Sequence, residues 1–298
     1  MPVRTVAPSF PVDFRLTLGL TRRGRGDPCT RIDARSVWRA TRSPDGPATL
    51  HLRAAGGRVE AEAWGPGATW ALEHVPALIG CHDDPGGFEP AHPLLADLAR
   101  RRPGLRLGRT DAVIEALVAS ILEQKVTGME ARRSWAQLAT RYGEPAPGPG
   151  GLVVPPAAEV LAGLPYHCFH PLGVERNRAD TVRRACARVR RLEEATAMPF
   201  TEARDRLTTV VGVGPWTAAE VAMVALGDPD AVPVGDFHLP HQVSWALAGE
   251  PRGDDARMLE LLEPYRGHRG RVIRLIGAAG IRPARRGPRM PTRSIARL

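Results

Sequence analysis

Apolar positions along the chain follow two different periods. Between residues 12 and 64 they alternate with polar ones or gather β-branched and aromatic residues, which predicts strands over Val12–Leu20, Ser36–Thr41, Ala48–Ala54 and Arg58–Trp64. Ser43-Pro44-Asp45-Gly46 and Gly56-Gly57 fall between them as hairpin turns. From Ala68 the spacing becomes helical, with helices expected over 68–78, 92–102, 111–122, 127–142, 156–163, 175–195, 200–209, 215–226, 237–248, 254–264 and 268–279. Gly143–Pro156 reads as a stiff surface loop. The pattern predicts an α+β chain: a small antiparallel β-sheet domain over residues 1–75, a larger all-helical domain over 76–281, and a mobile basic tail over 282–298.

Composition adds a class of partner and removes several others. The 298 residues are 43% hydrophobic, enough for a sizeable core, and carry a formal net charge of +9. That excess points to a polyanion, nucleic acid ahead of an anionic membrane surface. Lys125 is the only lysine, so chemistry that needs a side-chain amine has one candidate. No apolar run reaches the ~18 residues of a membrane span. The opening MPVRTVAPSFPVDFRL lacks the apolar stretch of a signal peptide, so a cytoplasmic protein is expected. Cys29, Cys81, Cys168 and Cys186 form no Cys-x-x-Cys pair, which argues against a disulfide framework, a zinc ribbon and an iron–sulfur loop. His167, Cys168 and His170 lie close together but lack a fourth ligand within reach, so zinc is not expected there.

Candidate chemistry concentrates in Leu207–Val224, LTTVVGVGPWTAAEVAMV. A helix ends near Thr209, Gly212-Val213-Gly214 makes a tight turn, and Pro215 opens a second helix at its favoured first position. The N–H groups at that helix start suit a phosphate, although the same spacing also serves an ordinary helix–turn–helix corner. A dinucleotide fingerprint is disfavoured, because no strand precedes the turn and Thr217 stands at the third glycine position. About twenty residues further on comes PVGDFHL, Pro233 to Leu239.

GVGPWTAAEV followed at this distance by PVGDFHL resembles the helix-hairpin-helix and Gly/Pro…Asp signature of the HhH-GPD DNA glycosylases, and within them the AlkA-type 3-methyladenine DNA glycosylase II group. HPLLADLARRRPGLRL, ALVASILEQKVT, GVERNRADTVRRA and LEPYRGHRGRVI extend the likeness over residues ~75–282. The resemblance implies a DNA glycosylase of base excision repair that flips an alkylated purine out of damaged duplex DNA and hydrolyses its glycosidic bond, acting as a monomer in the cytoplasm near the nucleoid. It carries the family's catalytic carboxylate onto Asp236. A carboxylate there suits the chemistry, since it stabilises an oxocarbenium-like sugar and can orient water. The same residue could also cap a helix beginning at Phe237.

Lyases of the family have a lysine where this chain has Trp216, so the resemblance implies a monofunctional enzyme in which the indole stacks on the base; core packing is the plainer alternative. Gln124 falls on a base-contacting position and Lys125 on the wedge that enters the duplex gap. Lys125 could instead meet phosphate, act as a repositioned Schiff-base lysine in a bifunctional glycosylase/AP lyase, or be an idle surface residue. Glu220 and Tyr265 stand where the group shows aromatic residues around the base. Tyr265 keeps an aromatic wall, whereas Glu220 could favour a cationic base, hydrogen-bond a neutral one, or face solvent. Gly212, Val213, Gly214 and Thr217 would grip the DNA backbone. No cofactor is required, but the carbonyls of Thr208, Val211 and Val213 match those that hold a monovalent cation, Na⁺ or K⁺, at the family's hairpin. A non-catalytic hairpin protein that only binds DNA remains the third reading.

Overall fold

Five antiparallel strands form a sheet in the order β1-β5-β4-β3-β2: β1 (Val3–Val6), β2 (Thr30–Ile32), β3 (Ser36–Ser43), β4 (Gly46–Ala55) and β5 (Arg58–Trp64). The computed structural model describes residues 2–284, so most of the tail expected over 282–298 lies outside the described residues. Register places Val37 opposite Leu52 and Leu52 opposite Ala61, one row of the buried face. Strand alternation sends the neighbouring positions to the other face, where Trp38 stacks on His51 at 3.9 Å and on Trp64 at 5.6 Å. The segment expected as a bare loop over 143–156 covers that face. It makes a short pairing, β6 (Glu144–Pro145) with β7 (Val153–Val154), and sets Gly148 and Gly150 against the Trp64 and Trp38 rings, where a Cβ would collide.

Two expectations change at the sheet. Val12–Leu20 alternates like a strand but folds as α1 (Phe14–Leu18), because the Asp13 carboxylate accepts the Leu16 N–H as an N-cap and Phe14, Thr17 and Leu18 share one helical face. The short strands β1 and β2 are not expected from the pattern, since three or four residues are too few to show a period.

The remaining helices follow the expected order, except that a short one over Tyr166–Phe169 is not expected from the pattern. They are α2 (Ala68–Glu73), α3 (Val75–Leu78), α4 (Pro93–Arg101), α5 (Val113–Glu123), α6 (Gly128–Tyr142), α7 (Ala158–Gly163), α8 (Tyr166–Phe169), α9 (Arg176–Cys186), α10 (Val189–Glu193), α11 (Phe200–Thr208), α12 (Pro215–Val221), α13 (Leu239–Ala248), α14 (Asp255–Leu262) and α15 (Arg269–Ala278). The helix expected over 68–78 divides at His74, just before Pro76, whose ring disfavours a continuing helix. The one expected over 175–195 divides at Ala187 and Arg188. None of the helices among the described residues is long and apolar enough to cross a membrane.

Three main apolar cores and two small satellites form among the described residues. One joins α1–α3 to the sheet, a central one gathers α5–α12, and a third joins α13–α15 to α4. Arg39 and Glu115 bridge sheet and central core at 2.8 Å. Arg271 and Asp83, each no more than 3% exposed, pair at 2.6 Å and tie the last helix to the segment before α4. The chain thus passes from α4 into the central core and returns, leaving the loop between α12 and α13 at the junction of two helical cores.

Candidate active site

The junction loop is held from several sides before any side chain of interest appears. Gly235 has φ +92°, a conformation that glycine adopts without penalty, and its N–H donates to the Asp255 carboxylate of α14 at 3.0 Å. The Asp236 N–H donates back to the Pro233 carbonyl. The turn leaves Asp236 half-buried, with one carboxylate oxygen accepting the N–H groups of His238 (2.7 Å) and Leu239 (2.8 Å). The helix expected to begin at Phe237 therefore begins at Leu239, with His238 at its N-cap position and the Asp236 carboxylate accepting the two N–H groups at that start. The second carboxylate oxygen accepts the Trp216 indole N–H at 3.0 Å. Trp216 is half-buried on the first turn of α12, so its ring is held edge-on to the carboxylate and does not pack in the core.

The turn of Gly212–Gly214 leads into that helix. Gly212 has φ +99°, and a Cβ there would stand 2.2 Å from the Thr181 hydroxyl of α9, so both conformation and space demand glycine. The Gln124 side-chain N–H₂ donates to the Gly212 carbonyl (3.0 Å) and to the Thr217 hydroxyl (2.9 Å). Gln124, Gly212 and Thr217 are thus brought together, with the glutamine amide nitrogen engaged by the hairpin and its carbonyl oxygen left to accept from a base. Next to it, exposed Lys125 has φ +55°, one of two non-glycine residues with positive φ among the described residues. Thr127, whose hydroxyl and N–H form a capping box with Glu130, starts α6 two residues later.

Carbonyls at the hairpin also bear on a cation. Those of Thr208 and Val213 accept no hydrogen bond among the described residues, while that of Val211 accepts the Arg184 guanidinium at 3.3 Å. Two of the three carbonyls are thus open to a further partner, and the third is shared with Arg184. His167, Cys168 and His170 form no cluster with a further ligand: no three His, Cys, Asp or Glu side chains converge as a metal site among the described residues.

Glu220 stands one helical turn after Trp216, on the same face of α12. It is half-buried and makes no hydrogen bond or ion pair among the described residues. Burial pushes its carboxyl up to about 7, with the Glu123 and Asp236 charges adding to the effect and Arg23 and Arg274 opposing it. Glu123, by contrast, pairs with Arg23 at 3.2 Å. Arg274 reaches in from α15 and donates to the Leu16 carbonyl at 2.6 Å; burial lowers its guanidinium to about 10. Tyr265 is 8% exposed in the third core, against which Val232 and Leu239 at the two ends of the junction loop also pack, and its ring meets Phe88 at 6.3 Å.

Sequence reasoning missed Asp255, Thr181, Glu123, Arg23 and Arg274. Asp255 alone carried a local sign, standing in the first turn of an expected helix, where a carboxylate is common.

No family model matches the chain. In sequence it is 34% identical over 154 residues to a Mycobacterium tuberculosis protein named "Probable bifunctional transcriptional activator/DNA repair enzyme AlkA". The match covers 50% of this chain and only 30% of that relative. In structure it is similar to a 3-methyladenine DNA glycosylase from Archaeoglobus fulgidus, with TM-score 0.76 and 18% identity over 93% of this chain and 98% of the other. An 8-oxoguanine glycosylase/lyase from Clostridium acetobutylicum gives TM-score 0.71 and 14% identity over 93% and 96%. Over half of its length the chain is similar in sequence to that AlkA relative, and over nearly all of it the chain shares the fold of these DNA glycosylases.

Proposed function

We propose that the protein is a monofunctional DNA glycosylase of base excision repair, which binds double-stranded DNA, extrudes a damaged purine and releases it by hydrolysis. The observation that carries this reading is the Asp236 carboxylate, fixed by two backbone donors and the Trp216 indole beside a glycine hairpin. Loss of the base leaves a positive sugar, and a fixed anion stabilises that charge without reorganising at the moment of reaction. Water attacks the sugar carbon and gives its proton to Asp236. A purine that is already cationic departs without a proton donor, so one carboxylate suffices for alkylated bases.

Extrusion takes a few kcal/mol, least for a damaged pair. Lys125, displayed at a left-handed turn beside the hairpin, would fill the vacated gap, with Gln124 keeping that turn in register with the Gly212–Gly214 turn. The hairpin amides would take backbone phosphate, with Thr217, only 2% exposed, serving instead to hold Gln124 to the hairpin. The Thr208, Val211 and Val213 carbonyls would hold a monovalent cation against that phosphate. Trp216 occupies the place where a Schiff-base amine would be needed, which supports one-step hydrolysis. The protein would work as a monomer in the cytoplasm.

Purified protein incubated with a panel of lesion duplexes, followed by chromatography of the released bases, tests the reading. Base release that is lost in Asp236→Asn while duplex binding persists is the expected result. Equal release by Asp236→Asn sinks it, and a borohydride-trapped adduct that disappears in Lys125→Ala transfers the chemistry to the lysine.

A further inference from the structure

Asp236 and Glu220 lie near each other in opposite settings. Asp236 meets three N–H donors, whereas Glu220 has no hydrogen-bond partner and sits among the charges of Glu123 on α5, Asp236 on the junction loop, Arg23 before β2 and Arg274 on α15. Arg23 is taken by Glu123, and Arg274 is tied to the Leu16 carbonyl, so neither cation pairs with Glu220. Two carboxyls placed in such different surroundings divide into an acceptor and a donor of protons. Trp216 and Glu220 share one face of α12, so a base stacked on the indole brings its edge toward Glu220.

We propose that Glu220 is a second catalytic carboxyl, which donates its proton to a ring nitrogen of the departing purine and so extends the enzyme to damaged purines that carry no charge of their own. The inference rests on the glycosylase reading above. In the step, the bond from C1′ to the purine nitrogen breaks and its electron pair stays on the base. The Glu220 proton goes to a ring nitrogen, water adds to C1′, and the second water proton goes to Asp236. A neutral free base, a C1′ hydroxyl, a Glu220 carboxylate and a protonated Asp236 result, and the two carboxyls then exchange protons with solvent. A cationic base needs no such donor, and burial that holds the Glu220 proton to about 7 keeps the donor loaded at neutral pH.

The test measures single-turnover release of hypoxanthine, an uncharged base, and of 7-methylguanine, a cationic one, from matched duplexes between pH 5.5 and 9. Wild type should show hypoxanthine release falling about tenfold per pH unit above ~7 relative to 7-methylguanine. Glu220→Gln keeps the size and the hydrogen-bonding edge but has no proton to give. It should lower the hypoxanthine to 7-methylguanine ratio at pH 6.5 by at least tenfold and remove its pH dependence. A variant that keeps either the ratio or the pH dependence overturns the proposal, as does a wild type that releases only the cationic base; both leave the role of Asp236 standing. Wild type that releases neither base defeats the glycosylase reading itself, and this inference with it.

Discussion

At Glu220, burial makes the stability of the fold depend on pH. Its carboxyl holds a proton to about 7 in the folded protein, against 4.5 for an ordinary glutamate, so the native state binds a proton that the unfolded chain has released. Stability from this group therefore declines as pH rises between 4.5 and about 7, and above 7 the full penalty of a half-buried anion is present. Glu220→Gln removes the anion. It is expected to be more stable than wild type by about 1–3 kcal/mol at pH 8, discounted for partial solvent access, with most of the gain gone by pH 5. Thermal melts at the two pH values check this, and an equal Tm difference at both contradicts it.

At the scale of elements, the turn of Gly212–Gly214 and the turn at Lys125 form one unit through the Gln124 amide. Gly212→Ala forces a side chain into a positive-φ site and into the Thr181 hydroxyl. It should cost about 1–3 kcal/mol of stability and weaken lesion-duplex binding at least ~10-fold, read by melting and by fluorescence anisotropy. Lys125 makes the complementary case. Its backbone favours glycine, so Lys125→Gly is expected to gain about 0.5–1 kcal/mol over Lys125→Ala, while both lose duplex affinity. A Lys125→Gly protein that binds and releases bases like wild type would show that the turn, with no side chain on it, performs the task.

Across the whole molecule, the Arg271–Asp83 pair is a deeply enclosed polar link that ties α15 to the segment between α3 and α4. Asp83 also accepts the Leu107 N–H, so it anchors three parts of the chain. Arg271→Met leaves Asp83 buried without its cation and should cost about 3–5 kcal/mol in a denaturant melt. The double variant with Asp83→Leu should recover much of that loss, because an apolar pair removes the stranded charge. No recovery in the double variant would place the loss in the packing of α15 instead.

Local pattern alone determined much of this protein. Helix positions, the main strands, the glycine turn before Pro215 and the carboxylate after Gly235 were legible, because each depends on residues within one turn or one strand pair of each other. Short-range signals also misled: Val12–Leu20 alternates like a strand, yet one capping aspartate and an i, i+4 apolar pair make it helical. Tertiary structure decided what the site residues meet. The proton affinity of Glu220 comes first from its burial and then from the charges of Glu123 and Asp236, opposed by Arg23 and Arg274, groups that folding gathers and no spacing rule connects. Distance in sequence likewise hid the hold of Asp255 on Gly235, the engagement of the Gln124 amide and the packing of Tyr265 in the third core. A sequence names the side chain and its nearest neighbours, but desolvation and charge are sums over everything that folding brings within a few ångströms, and those sums exist only once the cores have packed.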